Sequence, residues 1–210
     1  VLDFKQPKID LTASGNLNLK TLHRFLSTSN LEQANGDIHF DGQFKSNILP
    51  ESLHIVHSSG VIKFNDVNFK FNDETILYQK LSGVFELKKN HAYVTNLSGQ
   101  INAINFNMDG YFRNFLPYVL SGSETLVIEA HTRIDEADVK ELMTNFNQKS
   151  DSKESSSKKR MVLNLKVEAN ELRYGNFVAE AVDCTVQIQK NEINYQNLTF
   201  KTAGGNMSSS

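Results

Sequence analysis

The residues best suited to do chemistry are few and poorly placed for it. His54-Ile-Val-His57 is the one close histidine pair. On a strand a three-residue separation turns the two rings to opposite faces, so solvent-facing histidines are expected there rather than metal ligands. Ser58-Ser59-Gly60 lacks the flanking glycines of a nucleophile elbow, and the single cysteine, Cys184, sits in an apolar phase where an inert buried thiol is expected. Asp37, Asp41, Glu86 and Glu168 alternate with apolar neighbours, the pattern of a solvated sheet face rather than of a general acid and base. Neither GxGxxG nor a GK[ST] loop is present, so no phosphate cradle is expected. Lys158-Lys-Arg160 shares its loop with Asp151 and Glu154 and has no aromatic interleaving. No enzyme activity, metal or cofactor is expected.

What the side chains are rich in is hydrocarbon. Fourteen phenylalanines and no tryptophan sit in 210 residues, with three prolines and 39% hydrophobic content, the composition of a folded domain. The net charge is −2, without the basic excess that counterion release on a nucleic acid requires, so nucleic acid is excluded as a partner. One cysteine precludes an internal disulfide and suits either a reducing or an oxidising compartment. No apolar run reaches the ~18 residues of a membrane span. Val1-Leu-Asp-Phe-Lys-Gln-Pro at one end and Ala203-Gly-Gly-Asn-Met-Ser-Ser-Ser at the other read as cut ends, giving the expectation of a piece excised from a longer protein.

The elements that position this hydrocarbon are strands. Ile38, Phe40 and Phe44 alternate with polar residues, as do Ile62 and Phe64, then Phe69 and Phe71. The pattern continues through Leu81, Phe85 and Leu87, then Ile104, Phe106, Met108 and Phe112, then Leu126 to Ile134, Leu163 to Val167 and Val182 to Ile188. Period-two alternation places every second side chain on one face, giving one apolar and one wet face. Turns are expected at Asn35-Gly36, Asn72-Asp73, Lys89-Asn90, Tyr174-Gly175-Asn176 and Lys190-Asn191. The result is a mainly β chain, an elongated, curved, largely antiparallel sheet that forms either an open groove or a flattened sandwich.

Two segments switch to helical spacing behind a capping residue, near 18–26 and 135–143, and residues 147–160 read as a polar loop. The chain also matches itself. Ile9 to Asn18 and its helix match Leu126 to Asp135 and its helix. Leu81-Ser-Gly-Val-Phe-Glu-Leu-Lys-Lys-Asn90 matches Val182-Asp-Cys-Thr-Val-Gln-Ile-Gln-Lys-Asn191, and Asn96-Leu97 matches Asn197-Leu198. Two β repeats are expected, at 1–125 and 126–210, the second truncated. Asn35 to Lys45 has no counterpart in it.

Two short helices cannot cover so many strands. Either a second sheet meets the apolar face, as in a sandwich, or the face lines a greasy groove that takes a hydrocarbon ligand. For the groove the lining residues are Ile62, Phe64, Phe69, Phe71, Phe85, Leu87, Phe106, Met108 and Phe112. At ~25 cal/mol per Å², a few hundred Å² of such surface is worth several kcal/mol to an acyl chain.

The Gly15-Asn-Leu-Asn-Leu run with its helix, the Gly36-Asp-Ile-His-Phe-Asp-Gly42 strand, and the Leu172-Arg-Tyr-Gly-Asn-Phe…Asn197-Leu-Thr-Phe-Lys-Thr-Ala-Gly-Gly205 close resemble the C-terminal region of AsmA-family proteins. The resemblance spans nearly the whole chain and transfers no catalytic motif. It implies a repeating β-groove related to bridge-like lipid transfer proteins, in the periplasm and anchored to the inner membrane by a segment outside this chain. The partners it implies are phospholipid or another acyl-chain lipid, bacterial envelope membranes and outer-membrane assembly proteins. The implied role is phospholipid transport to the outer membrane or outer-membrane assembly; the alternative is a scaffolding β-module that binds no lipid.

Overall fold

The computed structural model describes residues 8–21, 31–49, 52–72, 76–120, 124–140, 160–189 and 192–209. They form one open sheet of eleven strands whose spatial order is their chain order. The strands are β1 (Lys8–Asn18), β2 (Leu31–Leu49), β3 (Ser52–Phe71), β4 (Leu77–Lys88), β5 (His91–Ile101), β6 (Ile104–Arg113), β7 (Leu126–Asp138), β8 (Met161–Tyr174), β9 (Phe177–Gln189), β10 (Glu192–Thr202) and β11 (Gly205–Ser209). Apart from hydrogen-bonded neighbours, the principal packing is that of a short helix, Phe115–Leu120, on β3, β5 and β7. No second sheet lies over either face among the described residues. The sandwich alternative therefore gives way to the open sheet.

Most of the meander follows from short polar turns. Lys89 and Asn102 take positive φ in tight connections, and Gly175 does so between β8 and β9. Asn102-Ala103 was not among the expected turns. Asn35-Gly36, by contrast, does not turn but lies inside β2. Gly36 (φ +102°) faces the bulged Asp66 of β3, where a Cβ would come 2.4 Å from the Asp66 carbonyl oxygen. The dipeptide's tolerance of positive φ serves a bulge rather than a hairpin.

Such bulges recur along the sheet. Asp66 in β3, Lys80 in β4, Asn96 in β5, Ala181 in β9 and Asn197 in β10 all have positive φ, and the ladders of β3, β4, β5, β9 and β10 shift register near them. Each inserts one residue and so reverses the parity of what faces the apolar side. In β3 the even positions Ile62 and Phe64 give way to the odd positions Val67 and Phe69.

The pairing of β4, β5 and β6 returns 101 residues later in β9, β10 and β11. Phe85↔Val94 becomes Val186↔Tyr195, Gln79↔Gln100 becomes Glu180↔Lys201, and Gly99↔Phe106 becomes Phe200↔Met207. The bulges at Lys80 and Asn96 recur at Ala181 and Asn197. β3 and β8 hold corresponding places beside β4 and β9, yet among the described residues β2 has no counterpart, and β7 pairs directly with β8. Every other neighbouring pair is antiparallel, whereas β7 and β8 are parallel. Removing one strand from an antiparallel meander brings two like-directed strands together.

Helical residues at 19–21 follow the Asn18 cap, whose Oδ1 accepts the Thr21 amide at 3.2 Å. The second expected helix begins later than its sequence suggested. Residues 135–138 continue β7, and Asp138 rather than Asp135 accepts the Lys140 amide, at 2.7 Å, ahead of helical residues 139–140. The remainders of both helices and residues 147–159 of the expected loop lie outside the described residues.

Candidate functional site

Cross-strand register shows what each face carries. One line of directly paired residues runs Gly15, Phe40, Ile62, Phe85, Val94, Gly110, Ala130, Leu165, Val186, Tyr195, from β1 to β10. It contains no charge and a single hydroxyl. The line one residue away, on the opposite face, runs Ser14, Asp41, Val61, Glu86, Tyr93, Tyr111, Glu129, Asn164, Gln187, Asn194. Nine inter-strand steps of ~4.8 Å make the apolar line about 43 Å long.

The centre of this face is deep. Phe85, Ala92, Val94, Phe112 and Leu126 are buried, with Ile62, Phe64, Leu87, Leu97, Met108 and Ile128 packed around them. Phe85 meets Phe64 edge-on at 4.9 Å and Phe112 edge-on at 5.7 Å. Phe115, Leu116 and Tyr118 of the short helix close over this point, with Phe115 at 5.6 Å from Phe85. The helix is held by backbone and polar groups: the Leu116 amide donates to the Asn90 carbonyl at 3.2 Å, and the Asn114 amide donates to His91 Nδ1 at 3.1 Å. Burial, then the nearby Arg113 and Lys89, hold the His91 pKa below its ordinary value, which keeps that acceptor neutral. Away from the helix the face opens, and Leu11, Leu17, Ile193, Tyr195 and Met207 are exposed.

Gly83 marks a close approach on this face. A Cβ there would lie 2.8 Å from the Leu97 Cα, whereas opposed side chains in an ordinary sheet have Cβ atoms ~4.5–5.5 Å apart. The backbone of β5 leans in over β4 at this point, and only hydrogen fits between them.

Of the expected lining residues, Ile62, Phe64, Phe85, Leu87, Met108 and Phe112 come together in one cluster. Phe106 is on the same face two positions from Met108, half-buried between Gly99 and Ile134. Phe69 lies beyond the Asp66 bulge, stacked on Tyr78 at 4.7 Å. Phe71 ends β3, and its side chain falls outside the described ones. The deepest positions, Ala92 (0% exposed) and Val94 (1%), were missed. Their alternation in Ala92-Tyr93-Val94 is short and is cut by the Asn96 bulge, which is why period-two reading passes over β5. The helix Phe115–Leu120 was missed as well, because six residues carrying Pro117 give almost no helical period.

The opposite face carries ion pairs. Glu168 receives Lys166 at 3.1 Å, with His131 at 2.9 Å and Arg133 at 3.7 Å, while Lys166 also reaches Asp183 at 3.4 Å. The Lys166 hydrogen bond, acting against desolvation, keeps the Glu168 carboxyl below the usual range. Arg113–Glu129 at 2.6 Å and Lys45–Asp10 at 2.9 Å are on the same face. These exposed pairs fix which side meets water and contribute little to stability. Asp135, Glu136, Glu171, Glu180 and Lys201 border an open, polar hollow of about 470 Å³.

The sequence's candidate nucleophiles are built into structure. The Ser58 hydroxyl donates to the Lys89 carbonyl while the Lys89 amide donates back to the Ser58 carbonyl at 2.8 Å. Cys184 is buried on the apolar side opposite Val167, and desolvation pushes its thiol pKa up. No family model, no curated protein and no solved structure matches this chain.

Proposed function

We propose that the chain is a non-catalytic β-groove module that holds the acyl chains of lipids against its apolar face. The observation that carries this reading is the uncharged line from Gly15 to Tyr195, crossing ten strands of a sheet over which, among the described residues, no second sheet lies and only the short helix packs at its centre. A face of that length and chemistry is costly in water, and contact is non-directional, so hydrocarbon of varied length and saturation suits it. The ion-paired opposite face suits a module that stands in water on its other side. The resemblance to AsmA-family proteins extends the proposal to a periplasmic, inner-membrane-anchored protein that serves phospholipid transport to the outer membrane, or outer-membrane assembly. A scaffold that uses this face as its own core would need a second sheet.

Native mass spectrometry of protein purified from membranes tests the reading, with a photoreactive phospholipid as an independent probe. Expected are bound phospholipid masses and labelling that falls when Phe64 or Phe106 becomes Asp. No co-purifying lipid, together with labelling indifferent to both substitutions, would sink the proposal.

A further inference from the structure

The connection between β6 and β7 is far longer than the pairing of these strands requires. β4–β5, β5–β6, β8–β9 and β10–β11 are antiparallel neighbours joined through residues 89–90, 102–103, 175–176 and 203–204. β6 and β7 are also antiparallel and stay in register as far as Arg113↔Val127, yet residues 114–125 separate them. Two residues are enough to join such a pair. The excess carries the helix Phe115–Leu120 back over the apolar face, where Phe115 and Tyr118 pack on the cluster of Phe85, Val94 and Phe112. A helix of six residues is far below the length that is stable in isolation, and Pro117 brings no amide to it, so its form depends on this docking. Asn114 takes φ +60° on leaving β6, and its Nδ2 donates to the Thr125 carbonyl at 3.2 Å, so the segment is anchored at its first end. Against the sheet it sets hydrocarbon on hydrocarbon, with Phe115 5.6 Å from Phe85 and 6.3 Å from Phe112. Contact of that kind is non-directional, so an acyl chain replaces it in kind.

We propose that the strip of sheet beneath the helix, centred on Phe85, Val94 and Phe112, is an acyl-chain site, and that the helix is its displaceable lid, holding the place of the ligand. The uncharged line passes through this strip at Phe85 and Val94 and continues on either side to Ile62 and Gly110. An acyl chain lying along that line meets Phe115 at its centre and takes its place on Phe85. The inference rests on the acyl-chain reading above and adds a gate to it. The apparent affinity for lipid is then the intrinsic affinity of the strip multiplied by the fraction of molecules whose lid is open.

The test titrates oleate into the intact protein while amide hydrogen exchange is read in the helix, and measures affinity by the fluorescence of bound cis-parinaric acid. With the lid closed, the Leu116 and Tyr118 amides donate to the Asn90 and Asn114 carbonyls. Expected are faster exchange of these two amides as oleate saturates, and cis-parinaric acid binding about tenfold tighter to Phe115→Ser than to the unaltered chain. Phe115 is only partly buried, circular dichroism checks the variant's sheet, and the exchange measurement needs no variant. Bound oleate that leaves the two amides as protected as before, or more so, would overturn the lid and leave the groove standing. So would a cis-parinaric acid affinity that Phe115→Ser leaves unchanged or weakens, since the helix would then be a fixed part of the site. Absence of binding of either fatty acid to both proteins would overturn the lid and the acyl-chain reading together.

Discussion

If acyl chains rest on the apolar face, Phe106→Asp weakens lipid binding without unfolding the sheet. Phe106 is half-buried, flanked in register by Gly99 and Ile134, and lies outside the cluster that the short helix covers. A phenylalanine carries roughly 150–250 Å² of surface, and Phe106 exposes no more than about a third of its own, so about 50 Å² remains for a ligand to cover. At ~25 cal/mol per Å² that is about 1.2 kcal/mol, or a roughly eight-fold loss of affinity. The assay is displacement of a fluorescent fatty acid or phospholipid, with Tyr93→Asp as control, because Tyr93 is exposed on the ion-paired face. Unchanged affinity in a folded Phe106→Asp protein would refute the reasoning, as would an equal loss in Tyr93→Asp.

Phe85 tests stability rather than affinity: it is buried against Phe64, Phe112 and Phe115, so Phe85→Ala costs about 3–5 kcal/mol in denaturant unfolding. At Gly83 a Cβ meets the Leu97 backbone, so Gly83→Val destabilises by about 1–3 kcal/mol, read from the same unfolding curves. His91 gives a pH dependence. Its folded pKa is lowered, so the unfolded chain takes up the proton first, and stability falls as pH drops from the ordinary histidine value near ~6.5 toward the folded value. Above that window its contribution is flat, and His91→Asn removes the slope when unfolding is followed from about pH 7.5 to about pH 5.

Much of the architecture is legible because alternation is a local property. Ile62 with Phe64, Phe85 with Leu87 and Phe106 with Met108 share a face simply because extended backbone repeats every two residues. The self-match of Leu81 to Asn90 with Val182 to Asn191 marks two segments, β4 and β9, with the same pairing register toward β5 and β10. What escaped was phase and position where the backbone departs from that period. Bulges at Asp66 and Asn96 reset parity within β3 and β5, so the deepest residues, Ala92 and Val94, did not stand out. Asn35-Gly36 read as a turn because positive φ suits both a turn and a bulge, and only the cross-strand contact with Asp66 distinguishes them.

The sequence by itself determined that this chain is built of two-faced strands, since side-chain alternation and polar turns follow from neighbouring residues alone. It also determined that the apolar face carries phenylalanine and aliphatic side chains rather than reactive groups. Only the tertiary structure decided that this face meets no second sheet among the described residues, that β7 and β8 run parallel, and that a six-residue helix covers its centre. Those outcomes depend on which strands pair across long separations and on what then lies above them. Two-residue periodicity carries no information about either, because a closed core and an open groove impose the same alternation on every strand.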